Sequence, residues 1–301
     1  IAARALTGLL LAGVDPVGMK IVVGWGVRDR GLLVGLMIGA LTLGSASPHL
    51  IGWLGGTDWR FVIAAASLSA ALGGLLVLAA ELGPHHAQAP RFDPGAIITA
   101  WTDRRIRLAY AGYLGHMWEL YAMWAWIGTA VGVSYAYSLP AADAQSLAKL
   151  TAFAAIGIGA MTSVATGLFA DRYGKELSTI IAMAISGTAA LATAVTFGGP
   201  AWLTFVIVLI WGAAIVPDSA QFSALIADFS PPQQAGSIMT FQTALGFALT
   251  FATVQLTPTL ASALGWPIVL AALAAGPVFG ILAMARLAAM RTTVNSSDTT
   301  R

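Results

Sequence analysis

Nine apolar stretches of about 20 residues fill almost the whole of this 301-residue chain, at roughly 4–26, 32–54, 59–81, 106–133, 148–170, 178–198, 201–227, 235–257 and 266–288. A helix rises about 1.5 Å per residue, so each stretch matches a hydrocarbon core about 30 Å thick. The stretches are continuously apolar, not alternating, and rich in Leu, Ala and Gly, which favours helices over a barrel. The expected fold is an all-α polytopic membrane bundle of about nine transmembrane helices. Asp, Glu, Lys and Arg make up only 9% of residues, against about 25% in soluble domains. A charge at bilayer depth costs several kcal/mol, faces protein or water, and often marks a substrate or proton path. Asp15, His116, Glu119 and Asp218 are the residues that this rule singles out.

Basic residues set the orientation. With the first stretch running outside to inside, eleven fall in inner loops (Arg28, Arg30, Arg91, Arg104, Arg105, Arg107, Arg172, Lys175, Arg286, Arg291, Arg301) and three outside (Arg4, Arg60, Lys149). Trp25, Trp53, Trp59, Trp101, Trp202 and Trp266 fall near stretch ends, as an interfacial aromatic belt requires. A multi-pass protein of the plasma membrane (the inner membrane in a bacterium), with a cytoplasmic carboxy terminus, is expected. The chain contains no cysteine, H-E-x-x-H or G-x-S-x-G, which argues against thiolate chemistry and intramembrane hydrolysis. No cofactor or metal site is expected: His85 and His86 lack further ligands and read as part of a solvated linker. A net charge of +2, scattered along the chain, does not point to nucleic acid.

The long polar connection, 82–105, reads as an inner loop between two bundles. An internal echo supports two related halves: DWRFVIAAA (58–66) returns as GWPIVLAAL (265–273), and a Pro–Asp pair at 15–16 is echoed, in reverse order, at 217–218. Stretches one and three then pair with seven and nine, so that three further helices are expected to precede Ile1. Arg4-Ala-Leu-Thr-Gly8 is similar to the R-x-x-x-G start of the fourth helix of the major facilitator superfamily. Gly167-Leu-Phe-Ala-Asp171-Arg172-Tyr-Gly174-Lys175 resembles that family's inner-loop signature G-x-x-x-D-R-x-G-R/K, and Trp59 and Trp266 stand where its sixth and twelfth helices often begin. The resemblance covers the chain as helices four to twelve. It implies a remnant of the first bundle over 1–81, a central cytoplasmic loop over 82–105, a six-helix second bundle over 106–291, and a disordered tail over 292–301.

Candidate residues follow from helical spacing. Tyr113, His116, Glu119, Met123 and Trp126 form one stripe, on which a His and a carboxylate one turn apart can share a proton. Trp211, Ala214, Asp218, Gln221 and Leu225 form another, with Pro217 bending the helix beside Asp218. Arg4 and Asp15 share a face of the first stretch, and Pro16 should disturb the helix there. The resemblance places Asp15, His116, Glu119 and Asp218 on helices around a central cavity. It also implies a gating role for Gly167, Asp171, Arg172, Gly174 and Lys175. The function expected is a non-enzymatic secondary carrier of a small solute, working by alternating access and coupled to protons as symporter or antiporter, with no obligate protein partner. A membrane nutrient sensor that binds without translocating is the other reading.

Overall fold

A computed structural model describes residues 2–11, 13–26, 30–55, 58–85 and 93–298, with side chains described for these other than 2–5, 15, 16, 23, 30, 31 and 291–298. Every regular element among the described residues is a helix. In chain order they are α1 (Ala2–Leu11), α2 (Asp15–Val23), α3 (Arg30–Leu54), α4 (Trp59–Val77), α5 (Ala96–Thr102), α6 (Arg104–Tyr135) and α7 (Ala141–Tyr173), followed by α8 (Lys175–Val195), α9 (Ala201–Ile215), α10 (Ser219–Phe229), α11 (Ala235–Leu264), α12 (Trp266–Leu273) and α13 (Ala275–Asp298).

Seven segments among the described residues are long and apolar enough to cross a bilayer: Leu32–Leu54, Trp59–Val77, Ala141–Tyr173, Lys175–Val195, Ala201–Phe229, Ala235–Leu264 and Trp266–Met290. The other two expected spans differ for separate reasons. α6 has 32 residues, about 48 Å of helix; its charged start and its His and Glu lower its apolarity, not its length. The first stretch is broken into α1 and α2, of 10 and 9 residues, about 15 Å each and too short to span alone. Pro16 lies in the first turn of α2, where its missing N–H costs nothing, so the helix restarts there after a turn at Gly13–Val14. At the other end α13 carries helix to Asp298, beyond the Thr292 at which a disordered tail is expected. A helix already nucleated by packing extends at little further cost.

Helix ends follow local chemistry. Gly174 (φ +96°) and Gly265 (φ +87°) supply the left-handed turns between α7 and α8 and between α11 and α12, a conformation open to glycine without a Cβ clash. Asp103 caps α6 by accepting from the Arg105 N–H at 2.8 Å, meeting one of the four orphan donors of a helix start. α5, inside the expected inner loop, is held to the start of α11: Gln234 Nε2 donates to Asp93 Oδ2 and Thr99 Oγ1 donates to Gln234 Oε1, both at 2.8 Å.

Small residues set the distances between helices. Along the α3–α7 seam Gly35 lies against Val164, Gly39 against Ala160, and Gly157 against Leu43 and Ala46. At the carboxy-terminal end of α3 the seam is tied by Trp53 Nε1 to Ser146 Oγ (2.9 Å) and by Lys149 Nζ to the Gly52 carbonyl (3.0 Å). α6 crosses α13 where Gly115 meets Gly276, leaving no room for a Cβ on either. Gly212 of α9 is pressed against the carbonyl of Ala155 in α7. α4 buries none of its residues. The core divides along α6 into an apolar cluster toward its carboxy-terminal end, around Met123, Ile127, Tyr135 and Trp211, and another toward its start, around Ile106, Tyr110, Phe222 and Met284. The turn carrying His116 and Glu119 lies between them, at mid-length of the helix.

Gly212→Ala is expected to force α9 off α7 and cost about 1–3 kcal/mol. Its melting temperature in detergent should fall, while Gly74→Ala, in open space on α4, should not lower it. Asp103 gives a pH prediction. The Arg105 side chain holds its carboxyl below the ordinary carboxylate range. Its folded value therefore lies below its unfolded one, so its contribution is present at neutral pH and lost as pH falls below about 4. Asp103→Asn keeps a capping oxygen and should flatten that acid-side loss in thermal melts recorded against pH.

Candidate functional site

The mid-depth turn of α6 gathers three of the four singled-out residues. His116, Glu119 and Asp218 are 1%, 1% and 2% exposed. Glu119 accepts two hydrogen bonds, from Trp211 Nε1 of α9 to Oε1 at 2.7 Å and from Ser186 Oγ of α8 to Oε2 at 2.9 Å. One carboxylate therefore joins α6, α8 and α9. His116 Nδ1 approaches Asp218 Oδ1 to 2.9 Å, yet the oxygen makes no well-formed hydrogen bond. Glu119 stands three residues along α6 from His116, so the imidazole that meets Asp218 shares a helix face with the second carboxylate. Tyr113 and Phe222 close the inner side, with ring centroids 6.3 and 5.8 Å from the His116 ring.

The chain around Asp218 explains how a carboxylate reaches this place. α9 stops at Ile215, Val216–Asp218 form a turn, and α10 begins at Ser219. Pro217 provides no backbone donor and breaks the hydrogen-bond ladder. Asp218 then stands at the first position before α10, where the partial positive charge of the helix start favours an anion. Despite this break, Trp211, Ala214, Asp218, Gln221 and Leu225 are all buried, as one face of a continuous helix would be.

The remaining expected residues separate into groups. Gln221 and Tyr113 are buried beside the cluster, whereas Trp126 donates from Nε1 to the Val254 carbonyl at 2.9 Å and ties α6 to α11. The Arg4 and Asp15 side chains lie outside the described ones. At the α7–α8 turn, Lys175 Nζ pairs with Asp228 Oδ2 of α10 at 2.6 Å and Arg172 stacks over Tyr173. Asp171, on the last turn of α7, is exposed and takes no part in that ion pair. Gly167 has open space around it.

Sequence reasoning did not mark Ser186 or Asp228. A serine in an apolar helix reads as a small packing residue; the one available hint is its place on the buried stripe with Ser178, Thr179 and Thr193. Asp228 falls one residue beyond the seventh apolar stretch, with no local sign of a partner 53 residues away.

A helical membrane bundle with a span broken at mid-depth and ionisable groups beside the break has the architecture of a secondary transporter. The family model for the Major Facilitator Superfamily matches residues 1–248. The chain belongs to the Major Facilitator Superfamily, a family of membrane transporters. No curated protein matches it.

Trp211→Phe keeps an aromatic ring but leaves Glu119 Oε1 without its donor, at an expected cost of about 1–3 kcal/mol. Adding Glu119→Gln should cost less than the sum of the two single changes, measured as a double-mutant cycle of melting in detergent.

Proposed function

We propose that this protein is a secondary active carrier of a small solute that works by alternating access, and that His116, Glu119 and Asp218 hold the proton it exchanges or co-transports. The single observation behind this reading is the burial of two carboxylates and one imidazole about one turn of α6, where His116 meets Asp218 and Glu119 meets Ser186 of α8 and Trp211 of α9. With all three groups charged, the set carries one net negative charge. One added proton makes it neutral, which removes the largest cost of burying it. Ser186 is placed to register that proton: its hydroxyl has the Glu119 carboxylate at 2.9 Å and the Met183 carbonyl at 3.2 Å as alternative acceptors. When Glu119 is ionised the hydroxyl turns to it; when Glu119 is protonated and itself donates, the hydroxyl turns to the carbonyl.

Proton loading thus rearranges hydrogen bonds on three helices, and a charge-dependent change at their junction biases the rocking equilibrium. The α7–α8 turn is the inner latch in this scheme, with Lys175–Asp228 closing α8 onto α10 and Gly174 permitting the sharp reversal. The excess of basic residues in the loops assigned to the inside supports a carboxy terminus on that side, and the plasma membrane is the residence this reading takes.

The test uses the full-length carrier in proteoliposomes. A counterflow screen across metabolite classes first identifies a transported solute, whose uptake is then driven by an imposed pH gradient. Glu119→Gln combined with Asp218→Asn should abolish the pH-driven component while counterflow persists; unchanged pH-driven uptake overturns the proton role. Absence of counterflow for every solute bound would overturn transport itself.

A further inference from the structure

A groove open to the surface of the bundle lies behind the bend that leads to Asp218. Between α7, α8 and α9 the helices leave an apolar groove of about 510 Å³, continuous through Ile185 and Ile210 with a second of about 420 Å³ along α8 and α9. Both volumes fall in the range of small-ligand sites, roughly 300–1,000 Å³. The groove exists because small residues occupy the helical stripes facing it, among them Ala182 and Ala189 on α8 and Ala213 on α9. It opens sideways: Ile181, Ile185 and Ile210 on its rim are 40%, 44% and 48% exposed. At bilayer depth that opening faces hydrocarbon.

One polar atom in the groove is unexplained. Ser178 lines it and is 2% exposed, yet its Oγ has no hydrogen-bond partner. A hydroxyl left unsatisfied in an apolar setting is costly, so a ligand that supplies an acceptor there is favoured. Ser178 stands three residues inside Lys175, the inner start of α8, a depth of about 4.5 Å. That is just beneath the headgroup layer, where a lipid's ester carbonyls lie. One cation, Arg172, stands near the mouth, next to the exposed Asp171. Phe169 lines the groove and stacks on Tyr173, over which the exposed Arg172 guanidinium lies at 5.3 Å.

We propose that this groove binds a phospholipid of the inner leaflet, with an acyl chain laid along α8, an ester carbonyl accepting from Ser178 and the phosphate beside Arg172. The back wall includes Ala214 and Pro217, so the chain packs against the bend whose next residue is Asp218.

The test is photolabelling of the full-length protein in vesicles doped with a phospholipid bearing a diazirine on its acyl chain, in parallel with a diazirine-bearing alkane. Adducts of the phospholipid should concentrate on peptides spanning 178–189 and 207–217, above the level on α4, which buries none of its described residues. Ala165→Trp, on the exposed rim, should bring that labelling down to the α4 level. Ser178→Ala should lower phospholipid labelling about two- to tenfold, as expected for one lost hydrogen bond, and leave alkane labelling unchanged. Size-exclusion profiles establish that each variant is folded. Even labelling of all lipid-facing helices, or labelling insensitive to both substitutions, overturns the site.

Discussion

The arrangement of α6, α8 and α9 turns on one buried carboxylate and the cost of keeping it there. Glu119 has no solvent to fall back on, so its two oxygens must find donors, and the ones they find belong to different helices. Satisfying it therefore fixes α6, α8 and α9 together at mid-depth. Truncating one partner of such a network strands the other, so the network specifies geometry more than it adds stability. His116 and Asp218 add a fourth segment, α10, to the same junction. The apolar clusters above and below hold the helices; the polar layer between them decides their register.

Backbone contacts at glycines carry the rest. Gly115 against Gly276 and Gly212 against Ala155 bring helices close enough for main-chain atoms to touch, so that packing replaces the hydrophobic drive that a bilayer cannot supply. That closeness leaves the bend at Val216–Asp218 supported: Val216 packs against Gly159 of α7, where no larger residue fits. A broken span at membrane depth is tolerated where surrounding protein covers its backbone. The break is what turns Asp218 from a residue on a helix face into one at a helix start.

Much of this was legible in the residues. Long apolar stretches are read by length, and the proline effects at Pro16 and Pro217 follow from a missing donor. The shared burial of His116, Glu119 and Asp218 follows from the scarcity of charge. What could not be read was which side of each helix meets which neighbour. α6 has apolar residues all round, and a helix of that kind offers no moment from which to fix its rotation. The stripe from Tyr113 to Trp126 was read as one surface, but its outer end reaches α11 while Glu119 reaches α8 and α9. The partners Ser186 and Asp228 depend on contacts 67 and 53 residues apart, beyond any local pattern. The split of the first stretch was half legible: the break was in the sequence, but the resulting pieces proved too short to cross.

The α3–α7 seam has a mechanical consequence. Among the described residues its close contacts pair Gly35, Gly39 and Gly157 with Val164, Ala160, Leu43 and Ala46, and the directional ties lie at the carboxy-terminal end of α3. A surface without interlocking knobs resists separation through contact area but opposes rotation only weakly. Among the described side chains the directional ties join α3 to α7 at Trp53 and Lys149, so the rest of the seam is held by close contact of small residues.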